Sequence, residues 1–215
     1  TTQPLLLERT TMRTFATAIQ TCKTASLEDL KKGSILTAES HKLSVSNEYH
    51  NGEYLSKIVY LLPYNLSGVN VCPDATDSCK AICLGVRSGH ADMVKNQEEV
   101  NDTRFARMRR IYLMKRFKGE FMKKLGKELH SFCRSAIKKG MTPCFRFNGS
   151  SDLPFENFTT ENGTNILEYF GNLYNLKAYD YTKSKSRMVK FLRGDMPSNY
   201  HLTFSYAPEK IEECK

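Results

Sequence analysis

Strand-like and helix-like segments alternate through the second half of this chain. An apolar run that ends in a Gly/Ser/Asp turn, "TPCFRFNGSSD", is followed by the helical pattern "NGTNILEYFGNLYN". The strand-like "LKAYDYTKS" leads into the short helical segment "SKSRMVKFLRG", and "YHLTFSYAP" is typical of a last strand. Strands that alternate with helices in this way usually pair in parallel, with each helix crossing over the sheet. The sequence therefore predicts an α/β fold.

The strongest helical pattern lies between residues 92 and 139, where proline is absent. Apolar residues recur there every four positions, which is the spacing of one helix face. These residues are Leu113, Phe117, Phe121, Leu125, Leu129, Cys133 and Ile137. The stretch is long for one helix, and we expect a break near Gly119 into two helices.

Two shorter patterns precede these helices. "SLEDLKKG" predicts a short helix with Ser26 as its N-cap and Gly33 as its stop. "HKLSVSNEY" alternates apolar and polar residues, and an Asn-Gly turn separates it from the apolar "YLSKIVYLLPY". This arrangement predicts an N-terminal β-hairpin.

The charge balance favours a polyanionic partner. Lysine and arginine number 32 against 23 acidic residues, a formal net charge of +9. Nucleic acid is the obvious partner for such a chain, although a solvated basic surface gives the same sum. No apolar run approaches the roughly 20 residues of a membrane span, so no membrane partner is predicted.

The basic residues concentrate in the helical segment "RFARMRRIYLMKRFKGEFMKK". Since its apolar positions face a core, we expect its basic positions to form an outward strip that contacts phosphates and makes affinity salt-dependent. An ordinary solvated helix face is the alternative. The expected nucleic-acid-binding residues are Arg104, Arg107, Arg109, Arg110 and Arg116.

Three cysteines and a histidine fall within residues 70–90: Cys72, Cys79, Cys83 and His90. The chain has seven cysteines, an odd number, and its N-terminal stretch lacks a signal-peptide pattern, so a reducing compartment is expected. Thiolates with an imidazole suit tetrahedral zinc, while three thiolates alone suit a [4Fe–4S] cluster with one open iron. Buried, unligated thiols are the equal alternative.

Polar residues follow three of the predicted strands, and parallel strands bring such residues to one edge of a sheet. Asp152 and Asp180 are the candidate catalytic residues, although aspartate also caps turns. Arg146 lies between two phenylalanines on the polar side of its strand, so it requires a carboxylate or phosphate partner. The candidate substrate-binding residues are Arg146, Asn148, Gly149, Ser151, Lys183 and Ser205.

Five phrases, in this order, resemble the bacteriophage "gene product 88" domain family. They are "NVCPDATDSCKAICLG", "TRFARMRR", "FRFNGSSDLPFE", "YDYTK" and "YHLTFS". The likeness covers residues 40 to 206, most of the chain. It implies a protein of the infected bacterial host's cytoplasm.

The resemblance extends to phage 7-deazaguanine DNA transglycosylases, relatives of the zinc-containing tRNA-guanine transglycosylases. It implies base exchange in DNA: a carboxylate attacks C1′ of the nucleotide, guanine leaves, and a 7-deazaguanine base displaces the enzyme. "YDYTKSKSR" loosely resembles the nucleophile segment of the tRNA enzymes, so Asp180 takes that role and Asp152 that of general acid and base. Asn148 and Ser151 would hold the edge of the extruded base.

The fold that this resemblance implies is a partial or irregular (β/α) TIM-type barrel, with the N-terminal β-hairpin and the long basic helices added. Residues 1–40 are expected to form an N-terminal extension and residues 41–215 the barrel-like domain, with zinc in its cysteine-rich loop. The 215 residues fall short of the roughly 250 of a complete eight-stranded barrel. Either the barrel is partial, or a second polypeptide or another copy of the chain completes it.

Two rival functions remain open. A radical S-adenosylmethionine enzyme shares the barrel and a loop of three cysteines that holds a [4Fe–4S] cluster, although its usual cysteine spacing is tighter. A zinc-stabilised DNA-binding protein without catalysis would use the strand-end aspartates only to cap turns.

Overall fold

The structure is a computed structural model that describes residues 13–37 and 52–214. The helices in these residues are α1 Phe15–Thr24, α2 Leu27–Lys31, α3 Asp77–Ala81, α4 Asp102–Arg116, α5 Lys118–Lys138, α6 Ile166–Tyr174, α7 Lys185–Leu192 and α8 Ile211–Cys214. The strands are β1 Tyr54–Ile58, β2 Thr142–Arg146, β3 Lys177–Thr182 and β4 Tyr200–Phe204. None of the described helices is both long enough and apolar enough to cross a bilayer.

The four strands form one parallel sheet in the spatial order β1-β2-β3-β4. This confirms the predicted α/β class, and the second-half segments form the predicted elements. Because each strand lies beside the one before it and crossovers are right-handed, the connecting helices collect on one face. Of these helices, α5 packs on β1 and β2, and α7 packs on β3 and β4. Within the described residues the sheet is open, so a closed barrel is not seen there.

The two faces of the sheet differ in burial. Side chains on the helix-covered face are buried: Phe145, Ala178, Asp180, Thr182 and Leu202. The other face, which we call the open face, carries Cys144, Arg146, Tyr179 and Tyr181. Tyr181 is 45% exposed there. One face therefore holds the core, and the other leaves polar and aromatic side chains accessible.

Strands β2 and β3 separate at their carboxyl ends. Their last paired residues are Phe145 and Ala178. In contrast, β3 and β4 stay paired as far as Thr182 and Phe204. The sheet therefore opens between β2 and β3 at the edge where polar strand-end residues gather.

The long helical pattern is split into α4 and α5, as predicted. Phe117 separates them with a φ of −139° and a ψ of 58°, two residues before the glycine at which we expected the break. The first helix begins at Asp102 rather than near residue 92, because Asn101 caps it by accepting a hydrogen bond from the Arg104 N–H. Ile137 is 51% exposed, so the apolar stripe leaves the core at its last position.

The N-terminal segments pack on the same core as the sheet. Buried Ala18, Cys22, Leu30 and Ile35 all belong to the cluster that contains Phe145 of β2. Ser26 caps α2, as predicted, by accepting a hydrogen bond from a backbone N–H. Residues 13–37 therefore contribute directly to the domain core.

The second strand of the predicted hairpin is present as β1. Residues 41–49, the expected first strand, lie outside the described residues. β1 pairs in parallel with β2, from Tyr54 with Thr142 to Ile58 with Arg146.

Candidate active site at the carboxyl ends of the strands

Asp180 is the buried centre of the strand-end site. It lies on the helix-covered face of β3 and is 1% exposed. Its Oδ1 accepts a hydrogen bond from the backbone N–H of Asn148 at 2.8 Å. Its Oδ2 accepts from the Asn148 side-chain amide at 3.0 Å and from the Tyr200 hydroxyl at 3.1 Å. The carboxylate thus spans the opening between β2 and β3.

The side chain of Asn148 is fully used within the protein. Its Oδ1 accepts hydrogen bonds from the Ser151 hydroxyl at 2.8 Å and from the Leu153 N–H at 2.9 Å. Its Nδ2 donates to the Leu153 carbonyl at 2.9 Å as well as to Asp180. Asn148 and Ser151, expected to hold a base edge, instead shape the turn that follows β2.

Arg187 in the first turn of α7 joins the acidic groups. Its Nε and Nη2 donate to the two carboxylate oxygens of Glu156 at 2.9 and 2.7 Å. Its Nη1 donates to the Asp152 carboxylate. Its Nη2 also donates to the Tyr200 hydroxyl at 2.9 Å, and that hydroxyl donates onward to Asp180. One guanidinium therefore links three acidic side chains.

Burial controls protonation in this network. It raises the pKa of Asp180 to about 7, although the Asn148 N–H and the nearby arginines act in the opposite direction. Burial also raises the pKa of Asp152, against the Lys183 N–H and the Arg187 charge. For Arg187, burial alone would lower the pKa, but the hydrogen bond to Glu156 and the neighbouring acidic groups hold it above its ordinary value. A proton can therefore be held on the Asp180 carboxyl near neutral pH while the arginine stays charged.

A pocket of about 210 Å³ opens beside this network. The charged side chains on its wall are Asp74, Asp152, Glu156, Arg187 and Lys190. Asp180 is not part of this wall. The two candidate catalytic aspartates thus share one hydrogen-bond network, while only Asp152 faces the pocket.

Lys183 and Ser205 are brought together, as the strand-end pattern predicted. The Lys183 ammonium donates to the Ser205 hydroxyl at 2.9 Å and to the carbonyls of Ser205 and Tyr206 at 3.2 and 3.0 Å. The Lys183 backbone N–H donates to Asp152 Oδ2 at 2.8 Å. The lysine therefore anchors the segment after β4 to the site.

Gly149 has a steric role. A Cβ atom at this position would lie 2.6 Å from Ile58 Cγ2 and 2.7 Å from Tyr60 Cδ1. Its N–H donates to the Val59 carbonyl at 3.0 Å. The chain after β2 passes so close to the residues after β1 that only glycine fits.

Arg146 has the acidic neighbour that its position required. Its Nε lies 3.7 Å from Asp180 Oδ1. This distance is beyond a hydrogen bond, and Arg146 Nε is a buried atom without a hydrogen-bond partner within the described residues. The pair is therefore electrostatic, and the arginine keeps donor capacity on the open face.

The arginines of α4 do not all face outward. Arg104 is 0% exposed, which contradicts that expectation for this residue. Its guanidinium donates to the carbonyls of Val86, Ala91, Gln97 and Glu99 and to the side chain of Gln97. These acceptors belong to the loop before α4, and a buried carbonyl requires a donor.

The other four arginines also bind backbone carbonyls. Arg107 donates to Gly85, Arg109 to Asp29, Arg110 to Ser34 and Tyr60, and Arg116 to Cys22 and Ala25. Their guanidinium groups thus tie the N-terminal segments and the 60–85 loop to α4. This internal role competes with the phosphate contacts expected from the sequence.

The four predicted metal ligands lie between β1 and α4, with Cys79 in α3. Cys72, Cys79 and Cys83 are partly buried free thiols, and His90 is exposed. Burial raises the pKa of Cys72 to about 12 and also raises the pKa of Cys83. Because thiols bind metals as thiolates, both thiols would have to lose their protons to become ligands. Cys72 Sγ accepts a hydrogen bond from the Tyr64 N–H at 3.3 Å. Among the residues that the structure describes, no group of three or more His, Cys, Asp or Glu is placed to hold a metal ion. In the described arrangement these four side chains are not gathered around one point, so zinc and the iron–sulfur cluster stay predictions from the cysteine spacing.

Three members of the network were missed in the sequence: Glu156, Arg187 and Tyr200. Arg187 had a signal, since it closes the "YDYTKSKSR" segment and lies at the start of a helix that follows a strand end. Glu156 and Tyr200 had none, because their roles depend on contacts 31 and 13 residues distant from Arg187 along the chain.

Comparison with known proteins gives one family. The family model described as gene product 88 matches residues 28–214. No curated protein and no solved structure matches the chain significantly.

Proposed function

This chain belongs to the phage gene product 88 family, and from that premise we propose that it is a base-exchange transglycosylase that replaces guanine in DNA with a 7-deazaguanine base. The observation that carries the proposal is the pair of carboxylates, Asp152 and Glu156, on the wall of one pocket and bound to the same guanidinium. Two positioned carboxylates are what glycosyl transfer at C1′ requires.

In this proposal Asp152 is the nucleophile. The resemblance implied that role for Asp180, but Asp180 is enclosed by Asn148 and Tyr200 and does not line the pocket. Asp152 lines it, and both its oxygens are oriented, one by Arg187 and the other by the Lys183 N–H. Oriented hydrogen bonds of this kind hold a nucleophile in the reactive direction.

The proposed reaction has two displacements. An Asp152 oxygen attacks C1′ of the deoxyguanosine, and the C1′–N9 bond breaks with its electron pair on guanine. Guanine takes a proton from solvent as it leaves, and the Glu156 carboxylate takes one from the incoming base and releases it to solvent. The incoming 7-deazaguanine then forms its bond to C1′ and releases Asp152. Asp180 is a positioning residue that acts through Tyr200 and Arg187.

Exposed cations beside the pocket are suited to the DNA backbone. The segment 183–193, which includes α7, contains five basic residues and no acidic residue. Lys185, Lys190 and Arg193 are exposed, and Lys190 lines the pocket. Phosphate contacts in the proposal therefore come from α7 rather than from the carbonyl-bound arginines of α4.

Nucleoside mass spectrometry tests the function. DNA is digested and analysed from cells that express the chain with a supply of 7-deazaguanine precursor. The modified nucleoside is expected with the wild type and with Asp195→Asn, an exposed control. It is expected to fall at least about 100-fold with Asp152→Asn, while DNA binding remains. Only normal deoxyguanosine from a folded wild-type protein would contradict the proposal, and unchanged exchange by Asp152→Asn would reject the assigned nucleophile.

Zinc stays a prediction from the cysteine spacing. If the loop binds zinc, its thiols must move from the positions described and lose their protons. We expect elemental analysis of protein purified in air to find one zinc per chain, lost in Cys79→Ser. Folded, active protein without metal would contradict this.

A further inference from the structure

Arg146, Tyr179 and Tyr181 form a cluster on the open face of the sheet, which we call the platform. The Arg146 guanidinium carbon lies 4.8 Å from the Tyr181 ring centroid and 6.0 Å from the Tyr179 ring centroid. The two tyrosine rings meet edge to face, with centroids 6.4 Å apart. Two strands therefore present a cation and two aromatic rings side by side.

The platform is accessible to solvent, and its arginine has a hydrogen-bond donor without an acceptor. Tyr181 is 45% exposed and the Arg146 side chain 22% exposed. Arg146 Nε has no hydrogen-bond partner within the described residues, and the carboxylate oxygen of Asp180 remains 3.7 Å away. A buried donor without an acceptor is costly, so its retention requires an explanation. Since Nε itself is enclosed, an anionic ligand that approaches from the open face would bind the guanidinium through its Nη atoms.

The chemistry of the platform selects a planar, anionic ligand. An exposed aromatic ring on a sheet surface stacks with unpaired nucleobases, and a neighbouring arginine contacts their phosphates. A base within a duplex has both faces covered by its neighbours and cannot stack on Tyr181. The net charge of +9 on the whole chain favours the same polyanion.

We propose that the platform binds an unpaired nucleobase of single-stranded DNA, with the base stacked on Tyr181 and its phosphate bound by Arg146. The inference deepens the proposed function, because it names the strand that the site holds and the surface that holds it. Asp180 connects the two places: Arg146 approaches it from the open face, and Tyr200 binds it on the side of the pocket. Binding at the platform needs neither the pocket carboxylates nor an incoming base.

The test uses the full chain and a single-stranded oligothymidylate with one 2-aminopurine, whose fluorescence is quenched by stacking. We expect wild-type protein to bind and quench this probe. Tyr181→Ala is expected to weaken binding by at least about 5-fold and to abolish the quenching, whereas Tyr181→Phe retains both because it keeps the ring. Arg146→Met is expected to weaken binding and to reduce its dependence on salt.

Leu173→Ala removes an exposed side chain on α6 and serves as the surface control. The Asp152→Asn protein should bind the probe and quench its fluorescence as the wild type does, whether or not base exchange occurs. Failure of the exchange assay would therefore not decide the result of this binding test. Melting curves must show that each variant is folded. Wild-type quenching by Tyr181→Ala, equal binding of the probe in duplex form, or no binding by the wild type would each overturn the inference.

Discussion

The backbone N–H of Asn148 donates to the Asp180 carboxylate at 2.8 Å, across the point where β2 and β3 cease to pair. The Asp180 side chain here accepts a backbone hydrogen bond that a neighbouring strand would otherwise accept. Because the bond is buried, the carboxylate both closes the structure and lies at the centre of the site. The protonation of Asp180 therefore affects stability as well as chemistry.

Asp180 is expected to make stability fall as pH rises through neutrality. Its pKa is about 7 in the folded protein and about 3.9 in an unfolded chain, so the folded state holds the proton more tightly. This contribution is fully present below pH 4 and is lost as pH rises through 7. Urea unfolding from pH 4 to 8 should therefore show a flatter curve for Asp180→Asn than for the wild type. Parallel curves for the two proteins would contradict the raised pKa, and the exposed Asp195→Asn variant should follow the wild type.

Arg187→Met is expected to destabilise the protein by about 3–5 kcal/mol. It leaves Glu156 and Asp152 buried without their cation, and removal of one partner from a buried ion pair costs this much. The double variant Glu156→Gln/Arg187→Met should recover part of the lost stability, because it removes one buried charge that has no partner. Arg193→Met, at the exposed residue that follows α7, should change the free energy of unfolding by less than about 0.5 kcal/mol. A loss confined to activity would show that the network is not structural.

Stability and DNA affinity should depend on different basic residues. Arg104→Met removes the donor of several buried carbonyls, so we expect a loss of at least about 3 kcal/mol in the free energy of unfolding. In contrast, Lys185→Ala and Lys190→Ala should leave stability unchanged and lower the slope of log affinity against log salt by about 0.7 for each phosphate contact with a single strand. Fluorescence anisotropy at several salt concentrations measures this slope. An unchanged slope in both lysine variants would remove α7 from the interface.

Gly149→Ala is expected to destabilise the protein by about 1–3 kcal/mol, since the added methyl group overlaps Ile58 and Tyr60. Gly126→Ala is the matched control, because its Cβ meets nothing within 4 Å and lies inside α5. A mid-helix alanine in place of glycine should be neutral or stabilising. Thermal melting of both variants measures the difference, and similar melting temperatures would mean that the turn after β2 can move aside.

Local pattern predicted the elements of the second half of the chain, since alternation and helical spacing are properties of neighbouring residues. The pattern also predicted that Asp152 and Asp180 lie at one edge of the sheet, because the carboxyl ends of parallel strands lie at the same edge. It did not predict which aspartate faces the pocket. That depends on β2 leaving β3 after Phe145, which no local pattern encodes.

The arginines of α4 have contacts that the sequence pattern did not predict. Helical periodicity assigns charged residues outward, since water is their usual partner. Arg104 is instead surrounded by backbone carbonyls of an irregular loop. The pattern of side-chain types along the sequence does not predict where such backbone acceptors lie. The sequence therefore predicted the helix correctly but not the burial of Arg104.

The spatial order β1-β2-β3-β4 matches the order in which a ribosome makes the strands. Each new strand can add to an edge that already exists, and no earlier strand has to be displaced. Tyr200, at the start of β4, is the last group of the Arg187 network to emerge. A nascent chain therefore lacks the link between Arg187 and Asp180 until translation has passed the start of β4.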